Sequence, residues 1–296
     1  MKLREAINAF AQWRTCQVTE RTVAGHDREL RHFCLFLRDP DIERITVGDL
    51  TAYLLGLTEL GWNQRSIIEK CMALRKFFEF CRRQGYAVLH EQLIPLPRKV
   101  FKLPRVATEE NYRKLLSVIP TDARPRHIRD RAIITMLWDT GMRNGELVSL
   151  NVGDLDFDRM RAVIKTEKSR GRRPFREAFW MHETNGHLAE WVDVRERLPV
   201  KGSQALFICT MGSDVGKRLT IRSLGEMLRR HSRKARIPHL NAHSFRHHLG
   251  HDIIKNGGSA PDVMNILGHA TLASSTVYTM MIDRELEERY RLFKGW

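Results

Sequence analysis

Between residues 91 and 107 the chain carries Pro95, Pro97 and Pro104, interleaved with Arg98, Lys99, Lys102 and Arg105. Proline lacks a backbone N–H and fixes φ, so no helix or central strand runs through this stretch. It reads as an extended basic linker that divides the chain into residues 1–90, the linker 91–107, and residues 108–296. A length of 296 residues accommodates two domains, and a hydrophobic fraction of 42% gives each a core.

The first ninety residues read as helices. Ala6, Phe10 and Trp13 recur at helical spacing, and so do Val23, Leu30, Cys34 and Leu37, closed by Asp39-Pro40. Thr46 with Asp49 three residues on is a capping pattern, and Leu50, Leu54 and Leu57 follow on one face. Asn63 caps a fourth segment with the stripe Ile67, Cys71, Leu74, Phe78 and Cys81, which Gly85 ends. Four such helices make a small bundle. Beyond the linker, Thr108 starts a helix, a helical stretch runs through Ile133, Ile134 and Leu137, and Gly141 interrupts it before Asn144 to Leu150 resumes. Residues 161–181 instead predict two or three short antiparallel strands with a turn near Gly171, and Ala205–Cys209 is a further strand candidate. The expected fold is mainly α with a small antiparallel β-sheet, an N-terminal four-helix domain preceding a mixed α+β domain.

The formal charge of +15 is uneven. Residues 1–100 hold 16 Lys and Arg against 12 Asp and Glu, an excess of four; the remaining 34 and 23 give residues 101–296 an excess of eleven. Nucleic acid is the default partner of such a chain, and its C-terminal two-thirds carries most of the attraction. No basic amphipathic helix points to a membrane surface, no apolar run is long enough to span a bilayer, and the start of the chain does not resemble a signal peptide. The five cysteines include no Cys-x-x-Cys pair, and Cys71 and Cys81 read as small core residues, so a reducing cytoplasm is expected.

Chemistry concentrates near the C-terminus. His243-Ser244-Phe245-Arg246-His247, then Leu267-Gly268-His269, then Tyr278 supply imidazoles, a guanidinium and a phenol. A guanidinium forks onto phosphate oxygens, imidazoles move protons or donate hydrogen bonds near neutral pH, and a phenol oxygen is a nucleophile toward an activated centre. His243 and Arg246, three apart, share a helix face. Earlier, Gly141 permits a tight approach before a helix start from which Arg143 projects, and Glu146 one turn on is placed to orient its guanidinium. His247 and His251 have the spacing of a zinc helix, but position 248 is His and the glutamate of that motif is absent, so no metal site is expected. Met211 to Arg218 fails as a phosphate loop, with three residues between its glycines and no Ser or Thr after Lys217.

These motifs together resemble the tyrosine recombinase (phage integrase) family, whose patterns are Arg-x-x-Glu-Leu, His-x-Leu-Arg-His, Leu-Gly-His and a Tyr nine residues after that His. The chain offers Arg143 to Leu147, His243 to His247 with Phe245 in place of Leu, Leu267 to His269, and Tyr278. The resemblance covers essentially the whole chain and lies closest to compact Xer-like and mobile-element members. It implies a core-binding domain over residues 1–90, a catalytic domain over 108–296, and a catalytic lysine between the first Arg and the His. Lys168 fits that place best, with Lys165 as competitor, because the usual Gly-Lys-Gly spelling is missing.

The resemblance further implies that Arg143 and Arg246 clamp the scissile phosphate while His243 assists as proton acceptor and His269 donates a hydrogen bond. Tyr278 then attacks and Lys168 protonates the leaving 5′-oxygen. No ATP, metal or other cofactor is called for. Arg98, Lys99, Lys102, Arg105, Arg170, Arg172 and Arg173 are expected to contact DNA. The partners implied are a double-stranded recombination site and further protomers in a DNA-bound tetramer, composed either of this chain alone or of this chain with a partner recombinase, with residues 282–296 a candidate for exchange between neighbours.

Overall fold

The computed structural model describes residues 1–97, 105–165, 175–200, 202–269, 271, 272, 275, 290, 291 and 294. The chain divides into two compact units, Met1–Lys102 and Leu103–Trp296.

Among its described residues the first unit contains four α-helices, α1 (Leu3–Thr15), α2 (Glu20–Leu37), α3 (Val47–Glu59) and α4 (Gln64–Arg83). Local chemistry sets the starts of α3 and α4. The Thr46 hydroxyl accepts from Asp49 N at 3.2 Å while Thr46 N donates to Asp49 Oδ2 at 2.8 Å, and Asn63 Oδ1 accepts from Ser66 N at 2.9 Å. Each bond satisfies a donor that the first helical turn leaves unpaired. The predicted stripe of α4 is the centre of the core: Cys71, Leu74, Phe78 and Cys81 are buried together with Phe77, whose ring meets Phe10 of α1 edge-on at 5.8 Å. Ile94 also reaches this core, and its carbonyl accepts from Arg75 Nε at 2.8 Å, so the chain beyond residue 90 still packs on the bundle. Among these apolar neighbours Lys70 is only 2% exposed. Its ammonium sits 2.6 Å from Glu29 Oε2 and 4.5 Å from the centroid of the Trp62 ring, partners a buried cation requires.

The second unit is built on α6 (Pro125–Thr140), which carries buried residues around most of its circumference and packs against α8 (His182–Glu196) and α10 (Ala242–Lys255). A helix enclosed this way is apolar on more than one face, which is why its periodicity is indistinct. Pro125 opens it and Gly141, at φ +54°, ends it. Around it lie α5 (Glu109–Ser117), α7 (Asn144–Ser149), α9 (Ile221–Lys234) and α11 (Ala260–Leu267). Trp191 of α8 is fully buried and donates to Leu206 O at 2.9 Å.

Three strands, β1 (Leu155–Asp156), β2 (Arg161–Lys165) and β3 (Phe175–Phe179), form an antiparallel sheet in the order β1-β2-β3, with Ile164 opposite Arg176 and Lys165 opposite Phe175. The predicted turn near Gly171 lies outside the described residues. The strand expected at Ala205–Cys209 is not formed. Ala205 and Ile208 make only isolated bridges, to Asn151 and Arg218, and the segment is instead buried by packing and by side-chain donors such as Trp191. Its apolar run is shared by a buried loop and a buried strand, so periodicity does not separate the two.

Candidate active site

Gly141 ends α6 in the left-handed conformation and brings the chain into close approach with its surroundings. A Cβ at this position would lie 3.0 Å from Leu267 Cδ2 and 3.3 Å from the Arg246 Cα. That approach places Arg143, the N-cap of α7, beside the C-terminal end of α11. Arg143 Nη1 donates to Glu146 Oε1 at 2.5 Å, its backbone N donates to Glu146 Oε2 at 3.0 Å, and its Nη2 donates to Gly268 O at 2.9 Å.

Arg246 projects from α10 and is 3% exposed. Its Nη1 donates to Gly141 O at 3.0 Å and its Nη2 donates to Leu267 O. A third guanidinium joins them. Arg176, on the inward face of β3, donates from Nη1 to Ile266 O at 2.9 Å and from Nη2 to Glu146 Oε2 at 2.8 Å. Three successive carbonyls at the end of α11, those of Ile266, Leu267 and Gly268, are thus each taken by a different arginine from a different element. The last carbonyls of a helix have no partner within it and carry partial negative charge, so they hold cations well.

His269 follows directly. The left-handed Gly268, at φ +65°, turns the chain so that His269 N donates to Met264 O at 3.0 Å. Its Nδ1 lies 2.8 Å from the hydroxyl of Ser275, a fully buried side chain. Burial first, and then the charges of Arg246 and Arg143, push the His269 pKa down to about 3. Burial likewise brings His247 down to about 4, helped by His243 and Arg246. Both rings are therefore neutral near pH 7 and donate or accept hydrogen bonds without adding charge. Glu146 is 3% exposed; burial works to raise its pKa, but Arg176 and then Arg143 outweigh burial and the carboxyl stays below its ordinary range. A single buried carboxylate against three guanidiniums leaves net positive charge, a setting that favours an anion.

His243, in the first turn of α10, is exposed and its ring centroid is 6.5 Å from that of His247. Lys165 is exposed at the end of β2. Arg105 is exposed and donates to His239 O at 3.3 Å. Lys168, Tyr278, Arg98, Lys99, Lys102, Arg170, Arg172 and Arg173 lie outside the described residues, as do most of residues 282–296. No group of three metal-ligating side chains occurs among the described residues, and no described helix is long and apolar enough to cross a membrane.

Two participants escaped the sequence reading. Arg176 occupies the buried register of β3, whose outward positions are Phe175, Glu177 and Phe179. Two phenylalanines facing outward invert the usual strand pattern, so the alternation conceals the inward arginine. Ser275 had a weaker signal, a small hydroxyl residue between His269 and Tyr278.

Comparison with known proteins shows the family and the fold. The model of the phage integrase family matches residues 105–284, and that of the phage integrase N-terminal SAM-like domain matches residues 8–85. The chain is 28% identical over 295 residues to tyrosine recombinase XerC of Corynebacterium efficiens, covering 98% of this chain and 91% of that one. Among solved structures it resembles the XerH site-specific recombinase bound to palindromic difH substrate, with 21% identity and a TM-score of 0.74 over 99% and 96% of the two chains. It also resembles the Tn1549 transposon integrase in complex with a circular intermediate DNA, with 18% identity and a TM-score of 0.77 over 98% and 99%. These two structures share its fold. With one match spanning more than half of the chain and a second covering most of its first unit, the protein is a member of the phage integrase family.

Proposed function

We propose that the protein is a site-specific DNA recombinase that cuts and rejoins DNA through a 3′-phosphotyrosyl intermediate. The observation that carries this reading is the convergence of Arg143 and Arg246 on adjacent carbonyls beside a neutral His269. Held from behind by carbonyls, the two guanidiniums are fixed in place, and fixed positive groups stabilise charge that develops in a transition state.

In the proposed reaction Tyr278 Oη attacks the scissile phosphorus and His243 assists by accepting its proton. Arg143 and Arg246 offset charge on the pentacoordinate centre, and neutral His269 donates a hydrogen bond to a non-bridging oxygen. Lys168 protonates the departing 5′-oxygen, which is otherwise a poor leaving group. The bond between phosphorus and that 5′-oxygen breaks as the bond to the tyrosine oxygen forms, leaving a free 5′-hydroxyl. The covalent link conserves the phosphodiester, so rejoining needs no ATP, and guanidiniums supply the positive charge without a metal.

Residues 1–90 act in this proposal as the core-binding domain, residues 91–107 as the basic linker, and residues 108–296 as the catalytic domain. Arg98, Lys99, Lys102, Arg105, Arg170, Arg172 and Arg173 contact DNA phosphates. Exchange needs two duplexes cut on both strands, so four protomers assemble on DNA. The compartment is the cytoplasm. Relatives named XerC and integrases named for a transposon support the recombinase reading without choosing a biological role.

Trapping on genomic fragments tests the proposal. The full chain should form a covalent adduct with a limited set of sequences, recoverable by sequencing, and Tyr278→Phe should bind the recovered duplex without forming the adduct. Relaxation of any plasmid would indicate a topoisomerase, and binding with no adduct would indicate a DNA-binding protein without catalysis.

A further inference from the structure

We infer that Arg176 is a positioning residue for strand cleavage, acting through Glu146 on Arg143. The inference rests on the proposed phosphoryl-transfer reading. Arg176 is 8% exposed on the inward face of β3, opposite Ile164, at a strand position that an apolar side chain would ordinarily fill. Its Nε is buried without a hydrogen-bond partner among the described residues. A buried guanidinium with one donor unmet is costly, and an apolar residue in such a place is often neutral or better for stability. Stability therefore does not account for an arginine here; its two other nitrogens do.

Nη2 holds Glu146 Oε2 at 2.8 Å, the same oxygen that accepts the Arg143 backbone N at 3.0 Å. Glu146 Oε1 is thereby left in the fixed direction from which it takes Arg143 Nη1 at 2.5 Å. Nη1 of Arg176 meanwhile holds Ile266 O at 2.9 Å, in the turn whose Gly268 O takes Arg143 Nη2. Arg176 thus fixes both acceptors that orient Arg143, one directly and one through the end of α11. The planar fork is essential, because a lysine ammonium is a single point of attachment and holds one acceptor well, not two in fixed directions. A catalytic group displaced by about 1 Å costs on the order of 100-fold in rate, which sets the expected effect.

The experiment compares the parent with Arg143→Ala, Arg176→Met and Arg176→Lys on the duplex recovered by covalent trapping. Three forms of the scissile linkage are used: the phosphodiester, a methylphosphonate, which removes the negative charge that Arg143 offsets, and a 5′-bridging phosphorothiolate, which removes the need for a general acid. Arg176→Met and Arg176→Lys should bind the duplex as the parent does and cleave the phosphodiester about 100-fold more slowly. On the methylphosphonate both should close most of that gap, as Arg143→Ala should, while the bridging sulfur should leave the gap open.

Closure on sulfur alone would place Arg176 behind the lysine segment and overturn the inference. An unchanged gap on both substrates would make it purely structural, and a fully active Arg176→Lys would show that the fork is unnecessary. Should Arg176→Met fail to fold, Arg176→Lys keeps the buried charge and decides the matter. If instead the parent forms no adduct, or Arg143→Ala cleaves the phosphodiester as the parent does, the phosphoryl-transfer reading itself fails.

Discussion

At the scale of single residues, Gly141 is where backbone geometry and site geometry coincide. A side chain at φ +54° costs about 1–2 kcal/mol before its Cβ meets Leu267, Leu249 and Arg246 at 3.0 to 3.3 Å. Gly141→Ala is expected to lower the melting temperature and to depress cleavage of a trapped duplex more than binding, because the displaced atoms belong to the arginine cradle. Equal losses in binding and cleavage would argue against that. The lysine is decided by a different measurement. Lys168→Ala should slow cleavage far more than Lys165→Ala, and a 5′-bridging sulfur should restore the Lys168 variant specifically. Restoration of Lys165→Ala instead would move the general acid to the end of β2.

At the scale of elements, α6 and α9 are joined by a buried ionic cluster rather than by apolar packing alone. Asp130 of α6 is fully buried and accepts from Arg129 at 2.6 and 3.0 Å, from Arg230 at 3.0 Å and from His231 Nε2 at 2.9 Å. Burial acts to raise its pKa, but His231 and Arg129 overcome this and hold the carboxyl below its usual range. Arg129 also donates to Ile208 O at 2.9 Å, so the cluster fixes the segment that lacks strand structure. Asp130→Asn leaves the buried Arg129 guanidinium uncompensated and should cost about 3–5 kcal/mol. Denaturant titration would show this as a lower midpoint with an unchanged slope. A variant as stable as the parent would mean that the cluster relaxes into water.

At the scale of the whole molecule, two global properties follow from charge. Neutralising several phosphates makes log K fall with log salt by about 0.9 per contact. Residues 1–100 carry an excess of only four cations against eleven in the remainder. The isolated fragment 1–90 is expected to bind the trapped duplex weakly and with a shallow salt slope, because it lacks both the charge and the effective concentration of two linked units. A fragment matching the full chain in both respects would refute this. Acid sensitivity is the second property. His269 and His247 are held at about 3 and about 4 in the folded chain, and burial also lowers His26, His32, His187, His239 and His248. Unfolded histidine titrates near about 6.5. As pH falls below that value the unfolded chain takes up protons that the native chain does not, so stability present at pH 7 declines toward pH 5. Stability curves should show this decline before the carboxylates titrate, and His269→Asn should flatten it.

The helices of the first unit were legible because each has one buried face, to which α3 and α4 add a side-chain cap, and both signals are local: Thr46 with Asp49, Asn63 with Ser66, and the stripe of α4. Arg143, Arg246 and His269, which the fold brings together, could be picked out from the sequence because polar side chains recur at fixed intervals within short motifs, which a linear reading sees. Pairing across long separations left no such trace. Glu146 and Arg176 are 30 positions apart, Arg143 and Gly268 are 125, and Arg246 and Gly141 are 105. Only the tertiary structure decided that three arginines would share the carbonyls at the end of α11. An unsatisfied helix terminus is a property of backbone geometry, and which side chains reach it depends on how the chain closes on itself.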